Sequence, residues 1–267
     1  MFLTQFLNFG ARYSRYFRIV PAWSEELKEE AYRIRHQVYC EELGWERSRA
    51  DGRETDQYDE HSLHLLIRAV ESDLFIGCVR LIRTIPEAPD QPLPFEITCA
   101  TSLDRTICDP SRMPRDHIAE VSRLAVVARY RRRKGEAGRP ISMEQEDFGT
   151  PDQPRFLYAP IALYLAALEL ARLHDVPTLF TLTEPRLARH FEKLGAKITP
   201  VGPPVEHRGA RVPSMVDANQ IIGNLPLIFR PLYRVIAAEV GRYPISWNPP
   251  MQNQSAMGIH DAGRAGG

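Results

Sequence analysis

The segment HIAEVSRLAVV, residues 117–127, decides the fold. Its branched apolar residues favour a strand that is buried inside a sheet. A basic stretch that contains a glycine, ARYRRRKGE (128–136), follows it directly. We therefore predict a central β-strand that runs into a basic turn.

The residues before this strand predict a helix and a β-hairpin. Ser24 is a good N-cap, and apolar residues recur at intervals of three and four as far as Val38, which predicts a helix over 24–42. After a polar loop, the alternating segments SLHLLIRAV (62–70) and LFIGCVRLIRT (74–84) are separated only by ESD and predict a hairpin. Four prolines within IPEAPDQPLPFE (85–96) predict an irregular excursion.

The residues after the central strand complete the sheet. Little periodicity is present up to residue 157, so we predict an inserted loop over about 130–157. The remaining pattern predicts a helix, a strand, a helix and a proline-broken hairpin, over 158–174, 177–183, 184–195 and 196–218. This order predicts an α/β (α+β) fold with a mixed, mostly antiparallel central sheet flanked by helices. It is compatible with the acetyltransferase-like fold, in which the helix after the central strand receives a carrier's phosphate at its N-terminus.

The composition is that of an ordinary globular protein. The chain has 267 residues, 43% of them hydrophobic and 25% charged, and its formal net charge is +0. No global field therefore points to nucleic acid or to a membrane. The longest apolar run, residues 158–171, is too short to span a bilayer and carries Glu169. The four cysteines form no close pairs, and we interpret them as reduced thiols in a cytoplasmic protein.

The first residues form a separate pattern. Aromatic side chains recur at helical spacing from Phe2 to Phe17, with Arg12, Arg15 and Arg18 between them, and no cleavage site of a signal peptide is present. This amphipathic segment either packs on the body or contacts a surface such as the inner membrane peripherally. We divide the chain into this segment (1–20), one folded domain (21–245) and a flexible tail (246–267).

The segment ETDQYD (54–59) places two aspartates three residues apart just before a core strand. A solvated turn with a capping aspartate is one interpretation. An acidic site for a cationic substrate is the other, and the spacing alone leaves both open.

Several fragments resemble the acyl-homoserine-lactone autoinducer synthases. RHQVYCEELGW (35–45), ETDQYD, GCVRLIRT (77–84) and AEVSRLAV (119–126) match these enzymes in order, spacing and character, although Tyr39 stands where they usually have Phe. The chain is more similar still to the N-acyl amino acid synthases known as PEP-CTERM/exosortase system-associated acyltransferases. The resemblance to this group covers roughly residues 15–235. It is carried by the motifs QVYCEELGWE, ETDQYDEHSLHLL, SRLAVVARYRRRKGE and FEKLGAKITPVGPPVEHRGARVPS.

The resemblance implies an acyltransferase of the acetyltransferase-like (GNAT) fold. The donor would be an acyl thioester, on acyl carrier protein or coenzyme A, and no cofactor would be tightly bound. The acceptor would be an amine, an amino acid in the sister group and S-adenosylmethionine in the lactone synthases. The resemblance assigns catalytic roles to Glu120, Arg123, Asp56 and Asp59, and substrate-binding roles to Arg35, Tyr39, Trp45, Arg80 and Ser122.

Amide formation requires a neutral amine, whereas a free α-amino group is mostly protonated at neutral pH. We expect Glu120 to act as the base, directly or through a water, and Asp56 and Asp59 to anchor the ammonium. The alternative for the two aspartates is that they bind Arg35 and Arg80 inside the protein. Both can hold at once.

Strand parity predicts an irregularity. Glu120 and Arg123 are three residues apart, so in a regular strand they face opposite sides of the sheet. If both serve one pocket, a β-bulge must lie near residues 121–126. Such a bulge would also free backbone N–H groups to polarise the thioester carbonyl. The alternative for Arg123 is an ion pair at the strand's edge.

The basic run has two interpretations, a solvated face or a docking site. Acyl carrier protein is strongly acidic, so exposed basic residues at this position would speed its encounter with the enzyme. Nucleic acid is the weaker interpretation, because the run is short and the chain is neutral. The carrier-binding residues would be Arg129, Arg131, Arg132, Arg133 and Lys134.

Four further features carry weaker signals. Tyr39 and Trp45 are either core residues or walls of the acceptor pocket, and the apolar helix over 158–171 is a candidate lining for an acyl tunnel. His61 and His64 follow no metal motif, and Ser122 has no histidine at a triad spacing, so we expect neither a metal site nor a serine triad.

The alternative to an enzyme is a non-catalytic carrier-binding module on the same fold.

Overall fold

The computed structural model describes residues 9–131, 158–185, 188, 191–192 and 197–242. Eight strands form one sheet, in the order β1-β2-β3-β4-β5-β8-β6, with β7 paired to β8. The strands are Phe17–Pro21 (β1), Ser62–Ala69 (β2), Phe75–Arg83 (β3), Ile118–Val126 (β4), Thr178–Thr183 (β5), Thr199–Pro200 (β6), Val205–Glu206 (β7) and Ala210–Asp217 (β8). The described helices are Phe9–Tyr16 (α1), Glu25–Arg35 (α2), Pro94–Thr98 (α3), Ala128–Arg131 (α4), Tyr158–Leu173 (α5), Ala218–Gly223 (α6) and Arg230–Val240 (α7).

The strand pairing confirms the mixed, mostly antiparallel sheet. Neighbouring strands pair antiparallel, except that β4 and β5 run parallel. The predicted central strand is β4, between β3 and β5, and the predicted hairpins are β2–β3 and the late pairs with β8. This is the GNAT-like arrangement that the sequence predicts.

Strands β2 and β3 are buried at nearly every position, so both faces of the sheet are covered. Cys78 of β3 faces α2, where its thiol lies 3.8 Å from the carbonyl oxygen of Ala31. By strand alternation, Arg80 shares that face, whereas Val79 and Leu81 turn to the other one. Two apolar clusters result: a large one that includes α5 and α7, and a small one around the stacked rings of Phe95 and Phe180, 4.3 Å apart.

Helix α2 begins as its residues predict. The Ser24 hydroxyl accepts a hydrogen bond from the Leu27 N–H, and Glu25 and Glu26 lie in the first turn, where the helix dipole favours acidic groups. The predicted helix over 24–42 continues past Arg35 as a π-helical segment, His36–Glu42. A wider turn of this kind is rare and frequently lies at a functional site.

The first residues differ from the prediction at Phe17. The helix ends at Tyr16, and Phe17 and Arg18 belong to the edge strand β1, because β2 offers its free edge there and pairs Phe17 with Ala69. Helix α1 packs on the body, with Phe9 and Tyr13 buried. Residues 9–20 are thus part of the folded domain; residues 1–8, the inserted segment 132–157 and the predicted tail lie outside the described residues.

Candidate functional site

The predicted bulge is present in β4. Cys78 pairs with Ala125 and Arg80 pairs with Ser122, so two residues of β4, Arg123 and Leu124, oppose the single residue Val79. Arg123 has φ = 53°, in the left-handed region that a branched or long side chain rarely adopts. The extra residue brings the Arg123 side chain to the face that carries Ser122 and Arg80.

Residues of the π-helical segment stabilise the bulge. The Tyr39 hydroxyl donates a hydrogen bond to the carbonyl of Leu124 at 3.1 Å. Gly44 reverses the chain with φ = 65°, and the Tyr39 carbonyl then accepts bonds from the N–H groups of Trp45 and Glu46. Tyr39 and Trp45 therefore stack, with ring centroids 5.9 Å apart.

A cavity opens where β4 and β5 separate. The two strands pair only over three residues, ending at Glu120 and Phe180. Beyond that point lies an apolar cavity of about 180 Å³. Its walls include Val121–Val126 of β4, Thr181–Thr183 of β5 and Tyr164, Ala167 and Leu168 of α5. Helix α5 therefore lines an apolar cavity, and its role in an acyl tunnel stays a prediction.

A smaller polar cavity of about 120 Å³ adjoins the apolar one. The two share Tyr39, Trp45, Val121, Ser122, Arg123, Leu182 and Arg211 as walls. Glu46, Glu120, His207 and Arg208 line only the polar cavity. Glu120 and Arg123 thus meet at one cavity, as the bulge hypothesis requires.

Glu120 is a buried carboxyl, with 5% of its surface exposed. Burial raises its pKa to about 7, although the Phe95 N–H, which donates to Oε2 at 2.7 Å, and the charges of Arg80 and Arg123 act in the opposite direction. A carboxylate with a pKa near the working pH is suited to general base catalysis.

The two aspartates of ETDQYD form ion pairs inside the protein. Asp59 receives both ends of the Arg35 guanidinium, at 2.6 and 3.1 Å, and one nitrogen of Arg80, at 2.7 Å. Asp56 accepts from Arg80 at 2.6 Å and from Arg123 at 3.1 Å. The interpretation of the aspartates as partners of Arg35 and Arg80 is confirmed, and the residues described as lining either cavity include neither aspartate.

The turn interpretation also holds in part. Asp59 Oδ2 accepts from the Asp56 N–H, and Asp56 Oδ1 accepts from the Tyr58 N–H, so each aspartate caps the local backbone. The turn is not solvated at Asp59, whose side chain is only 6% exposed. Burial would raise the pKa of Asp59, but its bonds to Arg35 and the charge of Arg80 hold it far below the ordinary value.

Glu54 completes this network. It pairs with Arg35 and accepts from Arg123 at 3.0 Å. Three arginines thus face three carboxylates, and the charges balance: Arg35, Arg80 and Arg123 with Glu54, Asp56 and Asp59. Arg80 also donates to the Ser122 hydroxyl at 3.1 Å. We call these six charged residues the ion network; it lies behind the polar cavity and fixes Arg123 at its wall.

Sequence reasoning missed Glu46, Glu54, His207, Arg208 and Arg211. Glu54 stands in the same acidic run as the two aspartates, and its alternation with Asp56 was a usable signal. The Arg208 guanidinium pairs with Glu46 across 162 residues of chain, a contact that no local pattern announces. Arg211 lies over the Trp45 ring, 5.3 Å from its centroid, and pairs with Glu184 at 3.2 Å.

The basic run is described only in part. Arg129 is exposed on α4 and lies over the Tyr130 ring, and Arg131 ends that helix. Arg132, Arg133 and Lys134 lie outside the described residues. In the described parts of the chain, no group of three His, Cys, Asp or Glu residues could hold a metal ion, and no helix is long and apolar enough to cross a membrane. All four cysteines are free thiols.

Comparisons with known proteins agree with this geometry. Residues 34–138 match the family model of the acetyltransferase (GNAT) domain. An acyl-homoserine-lactone synthase of Rhizobium radiobacter is 23% identical over 224 residues, which cover 81% of this chain and 90% of the relative. One of Aeromonas hydrophila is 32% identical over 116 residues, 43% of this chain and 50% of the relative. By its fold and its GNAT match, the chain is an N-acyltransferase.

Solved structures show the same fold. The AHL synthase LasI superposes with a TM-score of 0.53 at 20% identity, covering 79% of this chain and 97% of that one. BjaI, a CoA-dependent acyl-homoserine lactone synthase solved with SAM and isopentyl-CoA, gives 0.53 at 24% identity, with 85% and 89% coverage. FeeM, an N-acyl amino acid synthase from uncultured soil microbes, gives 0.51 at 13% identity, with 79% and 96% coverage.

Proposed function

We propose that this enzyme transfers a long-chain fatty acyl group from an acyl carrier protein thioester to the amine of an amino acid, giving an N-acyl amino acid. One observation carries the proposal: an apolar cavity between the separating strands β4 and β5 shares a wall with a polar cavity that contains Glu120. The first suits an acyl chain and the second suits a small polar acceptor.

The chemistry follows from the shared wall. The thioester carbonyl would lie beside the bulge of β4, whose edge towards β5 has no strand pairing after Glu120 in the described residues. Backbone N–H groups on that edge would stabilise the negative oxygen of the tetrahedral intermediate. Glu120 would accept the proton of the amine as it attacks, and the carrier's thiol would leave.

The ion network acts in this proposal by positioning. Arg123 is held by Glu54 and Asp56, so its guanidinium and the strained backbone beneath it keep one orientation. Asp56 and Asp59 would therefore act through Arg80 and Arg123, and a direct contact with the acceptor ammonium is restricted to the half-buried Asp56, whose side chain is 24% exposed.

The proposal is tested by incubating the enzyme with long-chain acyl carrier protein and a pool of amino acids, followed by mass spectrometry. An N-acyl amino acid that forms only with both substrates supports it. Thiol release that does not depend on an amine, or carrier binding without turnover, would contradict it.

Acyl-homoserine-lactone synthesis is the second candidate, because relatives that match most of this chain carry that name. It requires S-adenosylmethionine and releases methylthioadenosine when the lactone closes. The same assay with S-adenosylmethionine as the acceptor distinguishes the two reactions by product mass.

A further inference from the structure

The turn between β7 and β8 inserts a charged side chain into the polar cavity. His207, Arg208 and Gly209 connect the two strands, and Gly209 has φ = 93°. The Gly209 N–H donates to Glu206 Oε1 at 2.8 Å, which fixes the turn. His207 and Arg208 both line the polar cavity opposite β4.

Arg208 is held in a conformation that glycine would favour. Its φ is 53°. The other non-glycine residues with positive φ in the described chain are Asp73, Asp175 and Arg123. Aspartates tolerate this region, because their short side chains bond locally, whereas arginine has no such relief. Both strained arginines line the polar cavity, which indicates that the strained backbone positions their side chains there.

The two arginines face one carboxylate. Arg208 Nη2 pairs with Glu46 Oε1, and Arg123 Nη2 lies 3.9 Å from the same oxygen. The Arg208 Nη1 atom is 2.8 Å from His207 Nε2. Burial lowers the pKa of His207, and the charges of Arg208, Arg123 and Arg211 lower it further.

We propose that Arg208 binds the α-carboxylate of the acceptor, and that Glu46 occupies this position until the acceptor arrives. The inference rests on the proposed function and adds the residue that selects amines with a neighbouring carboxylate. A guanidinium binds a carboxylate through two parallel hydrogen bonds, so one carboxylate can replace another there. The side chains of Arg208 and Glu46 are 30% and 25% exposed, so a ligand can reach the pair.

This arrangement orients the acceptor. The α-carbon of an amino acid carries both groups, so a carboxylate held on the β7–β8 turn places the amine inside the cavity that Glu120 lines. An amine without the carboxylate would lack this anchor and would bind more weakly.

The test compares the twenty protein amino acids with the same set as primary amides, which keep the amine but lack the carboxylate charge. We expect the wild-type enzyme to prefer the acids. Arg208→Gly removes the side chain and relaxes the backbone, so it should raise KM for the acids at least tenfold, leave kcat within a few fold and abolish the preference. If Arg208→Gly changes Tm, Arg208→Gln is measured in its place.

Glu46→Gln distinguishes two roles of the Arg208–Glu46 ion pair. Either Glu46 occupies a carboxylate-binding site, or the pair only connects the loop to the β7–β8 turn. If Glu46 competes with the substrate, its neutral replacement should lower KM for the acids two- to tenfold and leave the amides unchanged. A tie between the loop and the turn predicts instead that Glu46→Gln and Arg208→Gly shift KM in the same direction. That result, or an unchanged preference in Arg208→Gly, would overturn the inference.

Asp73→Gly is the matched control, because it makes the same backbone change at a positive-φ residue in the β2–β3 turn. It should leave both KM values unaltered. If the wild-type enzyme acylates neither set, the proposed function is wrong and the inference with it. If it acylates the acids and Arg208→Gly does so with the same preference, only the inference is wrong.

Discussion

Glu120, the proposed base, is a buried carboxyl whose ionisation the fold opposes. Burial raises its pKa from 4.5 to about 7. Because the folded pKa lies above the unfolded one, Glu120 contributes most to stability below pH 4.5, and this contribution is lost as the pH rises to about 7. The ionised form that the proposed base requires is therefore the form that the fold disfavours.

The first prediction concerns Glu120→Gln. The amide cannot accept a proton, so amine-dependent thiol release should fall by at least 100-fold. The same variant should be more stable than the wild type at pH 8, by up to roughly 3 kcal/mol, because no buried charge has to form. Thermal unfolding at pH 8 and at pH 4.5 measures this, and the difference should shrink at the lower pH. Equal Tm differences at both pH values would contradict the assignment of the raised pKa to Glu120.

The second prediction concerns Asp59→Asn. Arg35 and Arg80 would each lose a charged partner while remaining buried, so the variant should be destabilised by about 3–5 kcal/mol. Denaturant unfolding measures this loss. The control is Asp51→Asn in the same loop, whose exposed pairs with Arg49 and Arg53 should contribute far less to stability. If Asp59→Asn is as stable as the wild type but its acceptor KM rises, the aspartate contacts the substrate instead.

At the level of single residues, chemical character was predictable and partners were not. The sequence identified Glu120, Arg123 and both aspartates as polar residues around a core strand. It left open whether the aspartates bind the substrate or arginines, because both choices need the same residue types. The structure decides for the arginines at Asp59, since its carboxylate is filled by Arg35 and Arg80.

The central strand illustrates what periodicity can predict at the level of an element. Alternation in β4 requires Glu120 and Arg123 to face apart, and a shared site therefore requires a bulge. The structure places that bulge between Ser122 and Ala125. Phe17 shows the limit: its helical spacing continues the pattern of Phe9 and Tyr13, but pairing with Ala69 of β2 draws it into a strand. The spacing of neighbouring residues carries no information about a pairing partner 52 residues away in sequence.

The third prediction tests the contact between β3 and the bulged part of β4. Gly77 lies opposite Val126, and a Cβ atom there would come within 2.7 Å of the Ala125 carbonyl oxygen. Gly77→Ala should therefore push the strands apart and destabilise the protein by about 1–3 kcal/mol. Because Ala125 and Val126 line the apolar cavity, the KM for the acyl donor should rise as well.

The control for this substitution is Gly223→Ala at the end of α6, where an added Cβ meets nothing within 4 Å. It should be neutral or stabilising by up to about 1 kcal/mol. Urea unfolding of both variants provides the comparison. A Gly77→Ala protein as stable as Gly223→Ala would show that β3 and β4 tolerate a wider spacing.

At the level of the whole molecule, the site is assembled from distant segments. The polar cavity takes residues from the π-helical segment, from β4 and from the β7–β8 turn. The order of elements made the GNAT-like sheet predictable. The order of elements did not reveal that the turn carrying Arg208 contacts Glu46. This contact depends on how the whole sheet twists and on where the hairpin ends.

The fourth prediction concerns the donor. The chain has a formal net charge of +0, so attraction of an acidic carrier must come from a local basic surface such as that around the exposed Arg129. Charge reversal at Arg131 and Arg132 should raise KM for the acyl carrier protein donor at least tenfold at low salt, with less effect at high salt. The KM for the corresponding acyl-CoA should change much less. Equal effects on both donors, or none at low salt, would contradict docking by this run.

Glu239 of α7 joins segments from opposite regions of the sequence. Its carboxylate accepts from the Tyr13 hydroxyl and from the Ile19 N–H, both at 2.9 Å. On the ribosome, residues 9–21 emerge long before Glu239, so Tyr13 and Ile19 lack this partner while more than two hundred further residues are translated, although β1 can pair with β2 much earlier. Helix α1, in contrast, has no partner for its buried Tyr13 hydroxyl until α7 is translated. We therefore expect nascent chains that stop short of Glu239 to leave the apolar face of α1 exposed and to depend on chaperones until α7 follows.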